Sequence, residues 1–454
     1  MFPLNGNSAA VGGRAQIMTP VARSRHEKEP VTTIRTRVGI VGAGPAGLLL
    51  SHLLAAAGID SVVLENRTRE QIETTVRAGI LEQGTVEVLS QSGASARVIE
   101  EGLRHDGIEL RFSGEGHRID FASACGRSVW LYPQHEVLKD LLAVRLDDGQ
   151  DIRFGATATR VDSLADRPTI HAFDADGQPL AVEAEFVVGA DGSRSVVREA
   201  VCGSLTNGFF REYPFAWFGI LCEAPPSAPE LIYSNSPLGF ALISQRSATV
   251  QRMYLQCDPE MDPDAMSDEE IWDQLQARVA PHPLQQGPIF QRDVLRFRSF
   301  VARRLRSELV ALVGDSAHTV PPTGAKGMNL AVADVVVLAR ALTALLCDGN
   351  AQLLDRYEED VLPRIWKAQH FSWWMTSMLH LSPTADDFDR LRQLGELRTL
   401  LESDAGRCYL AEAYTGWPLA DDGTNESSQR VGDHSSAAER SFGLSPRGSG
   451  LSRL

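Results

Sequence analysis

The stretch GAGPAG, Gly42-x-Gly44-x-x-Gly47, constrains the fold more than any other feature of the chain. It stands between an apolar strand, VGIV (38–41), and a helical run, PAGLLLSHLLAAAG, closed by Gly58. A second apolar strand, SVVLE (61–65), ends in Glu65, 18 residues after Gly47. Pro45 suits the first helical turn, where its missing N–H costs nothing. Glycines at this spacing allow a tight turn and let a diphosphate approach a helix N-terminus, while Glu65 can accept ribose hydroxyls. A chain opening this way predicts a parallel, doubly wound nucleotide-binding unit.

Two later segments repeat the pattern of an apolar strand ending in glycine and aspartate. They are FVVGADG (186–192), with Asp191, and LVALVGD (309–315), with Asp315. Asp315 opens GDSAHTVPPTGAKGMN (314–329), a Pro/Gly loop leading into the apolar helix LAVADVVVLARALTALL. The dipole and free N–H groups at that helix start would stabilise negative charge near residues 324–329, such as that on the pyrimidine edge of a reduced flavin. Together with GAGPAG, these two glycine-aspartate elements point to FAD.

Between them, residues 205–300 read as β-rich. In GFALISQRSATVQRMYLQ (239–256), Ser244, Arg246, Arg252 and Tyr254 all occupy even positions, and even positions of a strand share one face. A three-residue turn at Ser247-Ala248-Thr249 would preserve that parity through a hairpin. The expected organisation is an arm over 1–34, FAD-binding segments over 35–204 and 301–420, an inserted β-sheet substrate domain over 205–300, and a tail over 421–454. The last part of the second FAD-binding segment reads as helical and as a subunit contact. The tail carries eight Ser and five Gly in 34 residues, a composition that predicts disorder. The fold class is thus mixed α/β (α+β), Rossmann-like with an inserted sheet and a C-terminal helical region.

Other chemistries fail inspection. A net charge of -15 argues against non-specific binding to nucleic acid or an anionic membrane. No segment reaches 18 uninterrupted apolar residues, and the first 34 residues lack a signal-type apolar run, so a cytoplasmic protein without a membrane span is expected. The six cysteines show no CxxC and HEVLK (135–139) lacks a second histidine, so no metal site is expected. His105 and His318, taken alone, read as hydrogen-bonded structural histidines.

The order GAGPAG, RAGILEQGTVEVL (77–89), ADG and GDSAHTVPPTGAKGMN resembles the FAD-dependent aromatic hydroxylases over about residues 37–418. ELIYSN, GFALISQRSAT, RIWKAQHFSWWMTS and AEAYTGWP extend the resemblance to the branch acting on 4-hydroxybenzoate. It implies a homodimer that uses FAD, NADH or NADPH, and O2 to form 3,4-dihydroxybenzoate through a flavin C4a-hydroperoxide. Arg246 then matches the partner of the substrate carboxylate, with Ser244 and Tyr254 donating to the same group. Tyr233 matches the tyrosine bonded to the phenolic oxygen, Tyr414 the next member of a proton path, and His105 its solvent end. The carbonyl of Pro322 matches a group facing the substrate hydroxyl. Lys326, Gly327 and Asn329 match flavin-side positions, Arg77 and Gln134 grip the diphosphate and ribityl region, and Arg252 lies beside the flavin ring.

Members preferring NADPH carry Arg and Tyr where this chain has Asn66 and Gln71, although Arg67 follows. That departure leans towards NADH or dual use. A preference for a different hydroxylated aromatic acid, or a flavoprotein that senses such acids without turnover, are the alternative readings.

Overall fold

The computed structural model describes residues 31–75, 79–163, 167–204 and 206–419. Its first sheet is built on β1 (Thr32–Val41), which pairs in parallel with β2 (Ser61–Glu65) on one side and with the Pro179–Gly189 strand on the other. The strand Val310–Leu312 extends the parallel row beyond Pro179–Gly189, and Asp151–Phe154 extends it beyond β2. Parallel strands buried on both faces read as continuous apolar runs, which is why VGIV, SVVLE, FVVG and LVAL were legible. Helix α1 (Pro45–Ala56) and the Gly327–Asp348 helix pack in the same core as these strands. Both glycine-aspartate segments end at the same edge as the GAGPAG turn, because the strands carrying them run in parallel.

The first strand starts at Thr32, three residues inside the expected arm. The cause is the length of its partner: Leu180, Ala181 and Val182 continue the ladder opposite Thr32, Thr33 and Ile34.

The second sheet is larger than the expected insert. Among the described residues it runs from His318–Thr319 through Ile289–Ala302, Gly208–Glu223, Val250–Cys257, Gly239–Gln245 and Ile232–Ser236. It then takes in Gly107–Phe112 and Glu115–Asp120. The boundaries 205 and 300 are therefore too narrow for this sheet, since the parallel pairing Ile232↔Glu109 recruits a hairpin from the first segment. A crossover of this kind leaves no local trace in sequence. One face of the sheet packs on the helix Asp268–Val279 through Ile243, Met253 and Leu255. The opposite face, bearing Tyr233, Leu242 and Tyr254, meets the C-terminal helices Tyr357–Leu379 and Asp404–Thr415.

The Gly327–Asp348 helix is long and apolar enough to cross a membrane, the one such helix among the described residues. Most of it is buried here, and its Asp334 carboxylate is buried with it, accepting from the Gly314 N–H at 2.9 Å and lying 2.6 Å from His318 Nε2. It is a core helix of this fold. Burial opposes protonation of His318, but the adjacent Asp334 carboxylate outweighs it and the imidazole pKa is raised. His318 is thus the structural histidine expected of it. All six cysteines are free.

Candidate active site

The GAGPAG turn shows which glycines the fold itself requires. Gly42 has φ +106°, and a Cβ there would lie 2.3 Å from the Ala190 carbonyl oxygen. A Cβ on Gly47 would lie 1.9 Å from the Gly42 oxygen, so these two positions seal the strand-helix-strand contact. Gly44 is different. A Cβ on it would meet nothing within 4 Å, and the same holds for Gly327 at the start of its long helix. Two glycines facing open space at two helix N-termini fit a flavin dinucleotide, with phosphate near Gly44 and anionic ring edge near Gly327. Glu65 supports the first site: its Oε2 accepts from the Ala43 N–H at 2.8 Å, and its Oε1 from the backbone and side chain of Arg67, both at 3.0 Å.

Asp191 uses Oδ2 to accept from the backbone of Val196 at 2.8 Å, and its buried Oδ1 has no partner among the described residues. Burial raises its pKa, opposed by the hydrogen bonds around it. Asp315 is exposed, with its backbone carbonyl held by Arg198. Arg198 also binds the carbonyl oxygens of Ser193 and Ser316, so one buried guanidinium staples the two glycine-aspartate loops together. Nothing in its sequence context marks it. Gln134 opens a helix (Gln134–Asp147) and is half-buried, whereas Arg77 lies outside the described residues.

The loop expected on the flavin side is anchored from beneath. Lys326 Nζ donates to Glu82 Oε1 at 2.6 Å and to the Tyr414 carbonyl at 2.9 Å, under Phe371 and Trp417. Burial lowers the lysine pKa, and Glu82 opposes that shift. Asn329 accepts from the Glu82 N–H at 2.9 Å and donates to the carbonyls of Ile80 and Ala325. Both side chains are thus spent on the protein. Glu82, unremarked in sequence although it lies in RAGILEQGTVEVL, is the counter-charge. The Pro322 carbonyl accepts from the Ala325 N–H at 2.9 Å in a short 3-10 turn.

The hairpin forms with the expected register: Ser244 stands opposite Arg252 and Leu242 opposite Tyr254. The Arg246 N–H bonds the Val250 carbonyl at 2.7 Å across the three-residue turn. All four polar residues are buried. Their partners differ. Arg252 donates to Asp293 at 2.7 Å and stacks 5.1 Å from the Tyr254 ring centroid. Arg246 donates from Nη1 to the adjacent Gln245 carbonyl at 3.2 Å, and its Nε has no partner among the described residues. Desolvation lowers its pKa, with Tyr254 offsetting part of the shift, and no carboxylate contributes. The Ser244 hydroxyl donates to the Arg252 carbonyl at 2.8 Å rather than pointing its proton at a ligand.

On the same face, Tyr233 lies opposite Leu242, and its hydroxyl is 2.7 Å from that of Tyr414. Burial raises both phenol pKa values, so both side chains are neutral through the physiological range. His105 departs from the expected path. It is buried rather than at solvent, and its Nε2 lies 3.1 Å from the Gln245 amide, not on Tyr414. The reason is its strand, Leu103–His105, whose antiparallel partner Val129–Leu131 holds the ring beneath the hairpin. Burial lowers its pKa. Another buried histidine, His380, was missed. It accepts from the Trp217 indole at 2.7 Å and bonds the Thr376 carbonyl at 3.0 Å, which fixes its tautomer.

Residues 35–372 match the family model described as FAD binding domain. The chain is 40% identical over 390 residues to p-hydroxybenzoate hydroxylase of Acinetobacter baylyi, covering 85% of this chain and 96% of that protein. The chain belongs to the FAD-binding-domain family of aromatic hydroxylases. A probable NADH-specific resorcinol 4-hydroxylase of Rhodococcus jostii is 27% identical, covering 72% of this chain and 62% of that protein. Among solved structures, p-nitrophenol 4-monooxygenase from Pseudomonas putida superposes with a TM-score of 0.73 at 21% identity, covering 85% of this chain and 99% of that one. This aromatic hydroxylase is therefore an FAD-dependent monooxygenase, and an aromatic substrate and O2 are its reactants.

Proposed function

We propose that the enzyme hydroxylates 4-hydroxybenzoate to 3,4-dihydroxybenzoate, using NADH or NADPH as reductant. One observation carries the reading. A buried guanidinium without a carboxylate stands on the same sheet face as Tyr233, whose hydroxyl is hydrogen-bonded to that of Tyr414 on the facing helix. A ligand matching this face has a carboxylate at one end and a phenol at the other. Arg246 offers a planar donor that stays protonated, which suits a desolvated carboxylate better than Lys would.

Tyr233 takes the phenolic oxygen as hydrogen-bond partner. As the phenol ionises, its proton passes to the Tyr233 oxygen while Tyr233 hands its own to Tyr414, which releases its hydroxyl proton onward so that both tyrosines stay neutral. Electrophilic substitution ortho to the oxygen is faster on the phenolate, and a buried tyrosine pair moves the proton without admitting water. The exit beyond Tyr414 requires rearrangement or water, because His105 is bonded to Gln245 in this conformation. The bound flavin supplies acceptance of hydride from the nicotinamide and activation of oxygen. Ser244 donates to the carboxylate only if its hydroxyl rotates away from the Arg252 carbonyl. Arg252, paired with Asp293, is read as a group beside the flavin ring, Pro322 as a carbonyl facing the substrate hydroxyl, and Arg77 and Gln134 as flavin contacts.

The deciding experiment is turnover of a panel of hydroxylated benzoates with NADH and with NADPH, identifying the products. Formation of 3,4-dihydroxybenzoate coupled to reductant use is the expected result. Reductant oxidation without hydroxylated product from 4-hydroxybenzoate, or faster coupled turnover of another acid, overturns it. A homodimer belongs to the same reading. Phe209, Phe210, Trp366 and Trp373 are exposed around one groove, an apolar surface that a second copy would cover. Light scattering of the purified protein tests it. The free cysteines suit a reducing cytoplasm.

A further inference from the structure

A cleft of about 470 Å³ opens between the first turn of the Gln134–Asp147 helix and the hairpin tip at Ser247 and Ala248. We propose that this cleft is the passage by which an aromatic carboxylate reaches Arg246, with His135 as the polar group at its throat. The inference rests on the reading of Arg246 as the carboxylate site.

Four observations lead to it. The volume is that of a small-ligand pocket. Arg246 lines the inner wall while only 9% exposed, and its Nε has no partner. The cleft therefore reaches the side chain whose buried Nε, just beneath its wall, lacks a partner among the described residues. His135 lines the same wall, and its buried Nδ1 also lacks a partner. Its Nε2 stands 3.3 Å from Glu136 Oε1.

The charges around the mouth are the fourth observation. Glu101 and Glu136 both line the cleft and would repel an anion. Each is already engaged. Arg97 binds Glu101 at 2.9 Å, Glu136 at 2.7 Å and Asp140 at 2.6 Å, and Lys139 binds Glu136 at 2.7 Å. On a chain of net charge -15, whose overall field slows an incoming anion, the two carboxylates lining this cleft are each held by a cation, and the Arg246 guanidinium lines the same cleft.

The test is stopped-flow binding of 4-hydroxybenzoate to the FAD-loaded enzyme, followed through the flavin signal, beside an equilibrium titration. Ala248→Trp places a bulky ring on an exposed loop residue at the mouth, where no packing is disturbed. Association and dissociation should slow by the same factor, on the order of tenfold, with Kd unchanged, because a gate alters rates and not the end states. His135→Leu, which removes the polar group at the throat, should slow both in the same way. Parental rates in both variants overturn the passage alone, as does a change in Kd carried entirely by dissociation. Failure of the parent enzyme to bind 4-hydroxybenzoate overturns the carboxylate reading, and the passage with it.

Discussion

Two buried cations flank the candidate active site, and the protein treats them in opposite ways. Lys326, on the flavin-side loop, has a carboxylate at 2.6 Å and a carbonyl at 2.9 Å. Arg246, on the substrate sheet, has one backbone carbonyl at 3.2 Å, a neighbouring phenol and an idle Nε. Burying an unpaired charge is costly, whereas a paired and hydrogen-bonded one is tolerated. A cation compensated from within belongs to the fold. On the proposed reading, one left without a carboxylate is kept for a partner that arrives from outside.

The most direct way to break this comparison is Arg246→Ala. If the ligand's carboxylate is what Arg246 lacks, the variant should bind 4-hydroxybenzoate about 3–5 kcal/mol more weakly, the cost of leaving one member of a buried ion pair alone. Unchanged affinity in an equilibrium titration would place the carboxylate elsewhere. The ligand-free form sharpens the point: Arg246→Met should melt no lower than the parent, because no charged partner is orphaned and the cost of burying the guanidinium is removed.

Lys326→Met should do the reverse. Glu82 would lose its counter-charge in a nearly closed site, so stability should fall by about 3 kcal/mol in denaturant titration. The double change Lys326→Met with Glu82→Gln should recover much of that loss. If Lys326→Met instead melts like the parent, the lysine is held for a ligand, and the distinction between the two cations collapses.

Between these two lies a neutral device. Tyr233→Phe removes the hydroxyl that meets Tyr414 but leaves Arg246 untouched, so binding should weaken by only about 1 kcal/mol. Hydroxylation should slow by about 10²-fold, the usual worth of a positioned proton acceptor, with reductant oxidation uncoupled from product. Rapid-quench product measurement beside reductant consumption separates the two. Fully coupled turnover at the parental rate would exclude the tyrosine path.

How much of this was legible in sequence follows from the range of the interactions. The nucleotide-binding half is written in local patterns, since a buried parallel strand, a glycine turn and a helix start each occupy a few consecutive residues. The hairpin parity of Ser244, Arg246, Arg252 and Tyr254 is also local and could be counted. What those four residues bond to is not. Asp293 lies 41 positions from Arg252, Glu82 lies 244 from Lys326, and Arg198 lies 118 from Ser316. The recruitment of Gly107–Phe112 into the second sheet, and the burial of His105 beneath Gln245, depend on pairings of the same kind.

A third cation gives the smallest and last test. Arg67 stands where a nucleotide 2′-phosphate could meet it, but its side chain is 36% exposed and its Nε is held by Glu65 at 3.0 Å. Gln71, which replaces the tyrosine of NADPH-preferring relatives, is committed to a capping box with Thr68 at a helix start. Neither residue is left without a protein partner in the way that the proposed carboxylate site at Arg246 is. An exposed ion pair contributes about 0–1 kcal/mol. Arg67→Ala should therefore change the ratio of kcat/KM for NADPH over NADH by less than about tenfold, without altering 4-hydroxybenzoate binding. Steady-state kinetics with both reductants decide it. A strong NADPH preference in the parent that Arg67→Ala erases would make Arg67 a second cation kept for a ligand, and compensation by a neighbouring carboxylate would no longer separate fold from function.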